Sequence, residues 1–215
     1  MYPGHPRTMT SARHSTKREL KFNVDLLRAA RTVDVRAVRA LLAAGASPIA
    51  LDKTGSNAFA GIGPHRNRGA IIQMLVMAGG DPNHQDVVGC TPLMLAVVAG
   101  DASYVRALLR AGASANLLNG NGESALTFAI VWSRDNIARI LLRHGVRPDF
   151  PRTPWTPLMY AASEGNTMIA KMLLRHGANP RRRDAYRRTA LEIAEAARHG
   201  AFVAFWRHRF GADGK

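Results

Sequence analysis

Apolar residues recur along this chain in short segments whose spacing fits one face of an α-helix. Three of these segments carry them three or four positions apart: Val105, Leu108 and Leu109; Ile137, Ile140 and Leu141; Ile169, Met172 and Leu173. This spacing predicts amphipathic helices with a buried stripe. Each segment is followed by a glycine, the residue that best adopts the left-handed conformation just past a helix end.

The same kind of segment is repeated along most of the chain. One series of glycines has intervals of 34, 33, 33 and 32 residues: Gly45, Gly79, Gly112, Gly145 and Gly177. A second series has intervals of 33, 32 and 33 residues: Thr91-Pro92-Leu93, Ser124-Ala125-Leu126, Thr156-Pro157-Leu158 and Thr189-Ala190-Leu191. A Thr or Ser hydroxyl caps a helix N-terminus, and Pro is tolerated at the first helical position. Two markers with one period predict an array of helix pairs.

The links between the helices carry their own signals. Gly100 and Gly165 suit a tight turn within a helix pair, and the polar, Gly-containing residues 116–122 predict a hairpin-like finger between pairs. The run from Asp86 and Gly89 through Thr91-Pro92-Leu93 to Leu108-Leu109 and Gly112 closely resembles the ankyrin repeat. The resemblance covers residues 22–213. It implies an all-α solenoid of paired antiparallel helices with β-hairpin-like finger loops.

Six units are predicted within one ankyrin-like domain at residues 22–213: approximately 22–50, 51–83, 84–116, 117–149, 150–180 and 181–213. Residues 1–21 show no periodicity and are predicted to form a flexible basic tail. The second unit has Asn57-Ala58-Phe59 in place of Thr-Pro-Leu, and Gly61, Gly63 and Pro64 oppose helix continuation. We therefore expect a shortened first helix there and a long loop around residues 61–69.

One departure from the family pattern recurs. The family usually has His after Thr-Pro-Leu, where it helps to hold the fingers together, but here the residues at that position are Met94, Thr127, Met159 and Glu192. The other markers are intact, so the expected fold is unchanged.

Composition adds charge to this picture. The chain has 30 Lys and Arg residues against 15 Asp and Glu, a formal net charge of +15, although an Arg excess often reflects a GC-rich genome. The single cysteine, Cys90, excludes an internal disulfide framework. No apolar run is long enough to span a bilayer, and residues 1–21 lack the apolar stretch of a signal peptide. We expect a cytoplasmic monomer, with delivery into a host cell as an effector left open.

The resemblance implies a non-enzymatic scaffold or adaptor that docks a protein partner, expected to be acidic, on the concave surface of fingers and first helices. Candidate partner-binding residues at variable positions of this surface are Val88, Cys90, Glu123, Trp132, Trp155, Tyr186 and Arg188. Aromatic and Arg residues are common anchors of interfaces. The competing interpretation is structural: Trp132 packs between repeats, and Trp155 covers the finger that contains Pro151 and Pro154.

A second cluster is basic: Arg181, Arg182, Arg183 and Arg187. With the N-terminal tail, it supports an alternative function as a nucleic-acid-binding regulator. The simpler interpretation is a solvated finger whose Arg side chains pair with Asp184, Glu192 or Glu195.

No catalytic or cofactor site is predicted. The eight His residues show no metal-ligand spacing, and neither a nucleophile motif nor a phosphate-binding glycine loop is present.

Overall fold

The computed structural model describes residues 17–150 and 155–211, and this part of the chain is helical. Its helices are α1 (Lys17–Arg31), α2 (Val35–Ala43), α3 (Arg68–Met77), α4 (Pro92–Val98), α5 (Ala102–Arg110), α6 (Ala125–Val131), α7 (Asp135–Arg143), α8 (Pro157–Ser163), α9 (Thr167–Arg175), α10 (Ala190–Ala196) and α11 (Gly200–Phe210). Extended pairing within the described residues is limited to one isolated antiparallel bridge, Leu118 with Ser124. The predicted all-α class is confirmed.

The helices form two layers. The helix-one layer contains the first helix of each pair: α1, then a 3₁₀ turn at Ala58–Gly61, then α4, α6, α8 and α10. The helix-two layer contains α2, α3, α5, α7, α9 and α11, each packed on the next. Every helix thus contacts its pair partner and its counterparts in neighbouring repeats, which is the stacking predicted from the 33-residue period.

The core lies between the layers and is continuous from Leu26 to Trp206. Leucines of the three periodic apolar segments are in it: Leu108, Leu141 and Leu173 are fully buried. The glycine that follows each second helix has φ between +86° and +93° in all five repeats that carry it, as its left-handed position requires.

The expected helix caps are present. Thr91, Ser124, Thr156 and Thr189 each accept a hydrogen bond from the backbone N–H three residues later. The side chain at that third position, where the family usually has His, accepts a hydrogen bond from the backbone N–H of the cap residue. Met94 Sδ accepts from Thr91 N at 3.5 Å, and Glu192 Oε2 accepts from Thr189 N at 2.5 Å. Met and Glu therefore complete the N-terminal cap of these helices.

The second repeat is irregular, as predicted. Its first helix is reduced to the four-residue 3₁₀ turn Ala58–Gly61, and its second helix begins at Arg68, so Gly69 is helical and the loop is shorter than expected. Arg68 is 5% exposed and fills the gap. Its Nε donates to the Gly63 carbonyl at 2.8 Å, and Nη1 lies 2.8 Å from Asp101 of the third repeat.

Tyr104 completes this polar cluster. The Arg68 guanidinium lies 4.4 Å from the centre of the Tyr104 ring, and the Tyr104 hydroxyl donates to the Phe59 carbonyl. Burial raises the pKa of Tyr104 well above its usual value. The pKa of Asp101 is below its usual value. Burial alone would raise this pKa, but hydrogen bonds from Tyr104 N and Arg68, with the Arg68 charge, outweigh burial.

The predicted tail requires a correction. Helix α1 begins at Lys17, so residues 17–21 are helical, whereas residues 1–16 lie outside the described part. All five of these residues are exposed, and the helix here extends past its buried face, which begins near Phe22. Apolar periodicity therefore carried no signal for them. The domain limits stay a prediction.

Candidate partner-binding face

The finger turns have a common construction. In each of four fingers one Asp or Asn side-chain oxygen accepts hydrogen bonds from the backbone N–H groups two and four residues later: Asp52, Asp86, Asn119 and Asp184. Such an Asx turn closes the loop with its own side chain. The residues at the tip are thereby directed away from the core.

Neighbouring fingers contact each other through their backbones. Val87 N donates to Thr54 O at 3.2 Å, and Gly120 N donates to Val88 O at 3.0 Å. Gly89 lies at this junction with φ +79°, and a Cβ there would be 2.5 Å from Gly120 N. Each finger takes the number of its repeat, so the fingers with Asp52, Asp86 and Asn119 are the second, third and fourth. These three fingers form one connected edge.

Large apolar side chains are exposed on what we call the finger face, the surface of finger tips and helix-one ends. Val88 is 60% exposed, Trp132 51% and Tyr186 80%. Val87 and Val131, which occupy a finger tip and a helix-one end as variable positions of the family pattern do, are exposed beside Val88 and Trp132.

The structure divides the predicted strip into two parts. Val88, Cys90, Glu123, Trp155 and Tyr186 belong to the fingers or to the residues just before helix one. Trp132, by contrast, is the C-terminal cap of α6. Seven helical residues separate it from the finger end of that helix, a distance of about 10 Å.

Four of the predicted partner-binding residues are half-buried: Cys90, Glu123, Trp155 and Arg188. Asn119 Nδ2 donates to Glu123 Oε2 at 2.9 Å and lies 4.0 Å from Cys90 Sγ. Burial raises the pKa of the Cys90 thiol, and the Asp86 and Glu123 carboxylates raise it further against the opposing Asn119 contact. A thiol of this kind stays protonated near neutral pH and is a poor nucleophile.

Trp155 packs edge-to-face on Tyr160 with ring centres 5.3 Å apart, so this Trp has a structural role. Its predicted cover over Pro151 and Pro154 lies outside the described residues. Trp132, half exposed at the end of its helix, does not fit the buried interpretation.

The basic sixth finger is partly neutralised. Arg188 grips Asp184 through Nε at 3.0 Å and Nη2 at 2.8 Å, and its guanidinium lies 5.1 Å from the Tyr186 ring centre. Burial alone would raise the pKa of Asp184. Hydrogen bonds from the Arg188 backbone and side chain, with the Arg188 charge, outweigh burial and bring this pKa below its usual value. Arg183 pairs with Glu192 at 3.6 Å. The predicted internal pairing is thus present for two Arg residues, whereas Glu195 pairs with Arg207 instead.

The other three basic residues differ. Among the described residues, no ion pair involves Arg181, Arg182 or Arg187. Arg187 has φ +63° at the turn position where three other fingers have Gly55, Gly89 and Gly122. A non-glycine residue in this region is strained. Val33, Ser133 and Arg198 have the same conformation at the turns within their helix pairs.

Within residues 17–150 and 155–211, no group of three or more His, Cys, Asp or Glu side chains could hold a metal ion. In the same residues, no helix is both long enough and apolar enough to cross a membrane.

Comparison with known families decides the classification. The family model for ankyrin repeats (3 copies) matches residues 65–152, and the model for a single ankyrin repeat matches residues 155–185. Together they cover more than half of the chain. The chain belongs to the ankyrin repeat family. Ankyrin repeats are interaction modules for other proteins, and this role applies to the present chain in its general form.

Individual ankyrin repeat proteins are also similar. The putative ankyrin repeat protein YahD of Escherichia coli is 31% identical over 178 residues, which span 79% of this chain and 88% of YahD. The nuclear factor NF-kappa-B p105 subunit of Gallus gallus is 35% identical over 80 residues, only 8% of its length. The crystal structure of an ankyrin repeat domain from Acinetobacter baumannii superposes with a TM-score of 0.72 at 28% identity, covering 83% of this chain and 94% of that one.

Proposed function

We propose that this protein is a non-enzymatic scaffold or adaptor that docks an acidic protein partner on its finger face. The observation that supports this most is the exposure of Val87, Val88, Trp132 and Tyr186 on that face. Aromatic side chains of this kind are common anchors of protein–protein interfaces. The net charge of +15 favours a partner of opposite charge.

The connected fingers support the proposal mechanically. Backbone hydrogen bonds join the second, third and fourth fingers, and an Asx turn closes each of them. A surface that is rigid before binding loses little conformational entropy when a partner docks. Trp132 and Tyr186 are the candidate anchors, and Arg182 and Arg187 supply positive charge at the margin.

The experiment is affinity capture with the full chain as bait, followed by measurement of Kd for the captured protein with single variants. We expect Trp132→Ala and Tyr186→Ala each to weaken binding by about 2 kcal/mol, as truncation of an anchor does. The matched control is Met77→Ala, because Met77 is 85% exposed but lies on the helix-two layer. It should leave the Kd unchanged.

The alternative function, nucleic-acid binding through the sixth finger and the tail, predicts a different pattern. Reversing the charge of Arg182 and Arg187 would then abolish binding, whereas Trp132→Ala and Tyr186→Ala would retain full affinity. Affinity would also fall steeply with salt, with a slope set by the phosphates neutralised. The pairing of Arg183 and Arg188 within the protein leaves fewer charges for this function.

A further inference from the structure

The helix-two layer carries basic side chains at the repeat period. One row has intervals of 33 and 32 residues, and a second row has intervals of 33, 32 and 33: Arg106, Arg139 and Lys171; Arg110, Arg143, Arg175 and His208. All seven side chains are exposed. Because α5, α7, α9 and α11 pack side by side, equivalent residues align across the stack.

The dimensions of this array follow from helix geometry. Neighbouring packed helices have axes about 8–10 Å apart, which sets the spacing along each row. Residues four apart on one helix are separated by about 6 Å, which sets the spacing between the rows. The two rows therefore form a narrow ladder of positive charge on the outer side of the helix-two layer.

The ladder has one sign of charge. Helices α5, α9 and α11 contain no Asp or Glu, and α7 contains only Asp135 in its first turn, where it accepts a hydrogen bond from Asn166. Like charges four residues apart destabilise a helix, yet Arg139 and Arg143 form such a pair. A surface with one sign of charge attracts ligands of the opposite sign.

Two grooves lie between neighbouring helices of the ladder, and both are lined by ladder side chains together with apolar ones. The groove between α7 and α9 has a volume of about 660 Å³, with Arg139 and Lys171 among its cations and Met168 among its apolar residues. The groove between α9 and α11 has a volume of about 420 Å³ and includes Leu174 and Phe205. No carboxylate lines either groove within the described residues.

We propose that the helix-two face of α7, α9 and α11 binds an extended acidic segment of a second protein, with its carboxylates on the ladder and apolar side chains in the grooves. A chain in the extended polyproline-II conformation has three residues per turn and rises about 3.1 Å per residue. Every third side chain therefore points the same way and advances about 9 Å, which matches the helix spacing. This surface lies on the layer opposite helix one, so it is independent of the proposed finger-face function.

The groove chemistry favours a polypeptide over a nucleic acid. Single-stranded nucleic acids bind by stacking bases on free aromatic rings beside cationic grooves. Here the ring available is Phe205, which is half-buried and already has the Lys171 ammonium 5.1 Å from its centre. Met168, 54% exposed, offers an apolar contact that a phosphate backbone does not use.

The test uses the full chain and labelled synthetic probes in fluorescence anisotropy at low salt. The main probe is a peptide of four copies of Glu-Leu-Ser, compared with four copies of Glu-Ser-Ser and with a short oligothymidine. The test variant is Arg139→Glu with Arg143→Glu. Its matched control is Arg36→Glu with Arg39→Glu, an exposed pair on α2 that changes net charge equally.

We expect the Glu-Leu-Ser peptide to bind more tightly than the other two probes. The Arg139 and Arg143 reversal should raise its Kd about tenfold, and the control should change it less than about twofold. Equal weakening by both double variants would overturn the proposal, because it would show a response to net charge alone. Equal or tighter binding of the Glu-Ser-Ser peptide would contradict the proposed role of the grooves, because that peptide has no apolar side chain to place in them. Tighter binding of oligothymidine would show that the surface recognises nucleic acid and not an acidic polypeptide. Trp132→Ala should leave this Kd unchanged, so failure here is separable from failure of the finger-face function.

Discussion

At the scale of single residues, the fingers depend on one side-chain oxygen and one glycine. Asp86 closes its turn by accepting from the Val88 and Cys90 N–H groups, and Gly89 then allows the backbone to turn with positive φ. The sixth finger keeps the Asp but has Arg187 in place of the glycine. The turn thus forms without glycine, at the cost of local strain.

Gly89 carries a second constraint, which can be separated from the first by mutation. We expect Gly89→Ala to destabilise the protein by more than Gly112→Ala in chemical denaturation. Both glycines have positive φ, so both variants incur about 1–2 kcal/mol of backbone strain. Only at Gly89 would the new Cβ also collide with the next finger, 2.5 Å from Gly120 N, whereas nothing lies within 4 Å at Gly112.

Equal destabilisation by the two substitutions would contradict this, because it would mean that the fingers move apart without cost.

Some residue-level features could not be predicted from the sequence. The residues that enter the second helices, at intervals of 33, 33, 32 and 33, each contact the adjacent repeat: Arg68, Asp101, Arg134, Asn166 and His199. His199 Nε2, for example, is 2.7 Å from Ser163 O. These contacts share a position but not a residue type, so no repeated letter marked them. The glycines and the Thr caps were predictable because one backbone geometry requires one type of residue.

At the scale of elements, the second repeat shows how side-chain chemistry replaces a missing helix. The breakers Gly61, Gly63 and Pro64 were sufficient to predict the loss of the helix. They gave no indication that Arg68 would fill the gap, because a buried Arg is stable only with partners that are distant in sequence. Asp101 and Tyr104, both in the next repeat's second helix or its cap, are those partners.

We expect Arg68→Met to destabilise the protein by about 3 kcal/mol in urea unfolding. This is the lower end of the range for breaking a buried ion pair, because the Asp101 side chain remains 26% exposed and partly hydrated. The matched control is Arg207→Met, which breaks a pair of the same 2.8 Å length whose side chains are 56% and 40% exposed. That loss should be below about 1 kcal/mol.

The same pair has a pH signature. The pKa of Asp101 in the folded protein is below its usual value, so its contribution to stability is complete above the unfolded pKa of about 3.9 and is lost as pH falls through the folded pKa. As pH falls below about 4, the free energy of unfolding should therefore decrease less for the Arg68→Met variant than for the wild type. An unchanged acid dependence would show that Arg68 does not hold the Asp101 charge.

At the scale of the whole molecule, stacking aligns the equivalent surface residues of successive repeats into rows. A repeat with an exposed Arg on its second helix becomes a row of cations when the period is kept, and a net charge of +15 becomes a directional surface. The sequence predicted the charge and the period separately, but the ladder follows only from combining them with the layer order of the helices. The finger face was more predictable, because the family resemblance already indicates it.

A ladder of like charges should weaken the fold when counterions are scarce. We expect the melting temperature to rise as salt is added at low ionic strength, because salt screens repulsion between exposed charges. Arg106→Glu should reproduce part of this gain by converting the pair with Arg110 from repulsive to attractive, because the residue four positions before Arg106 is the uncharged Ala102. The expected stabilisation is about 0.5–1 kcal/mol, or about 1–4 °C in a chain of this size, with a smaller response to salt. The matched control is Gln73→Glu, at the equivalent place in α3, where the residue four positions on is the uncharged Met77. A fall in melting temperature with salt, or equal gains from Arg106→Glu and Gln73→Glu, would show that the ladder does not strain the fold.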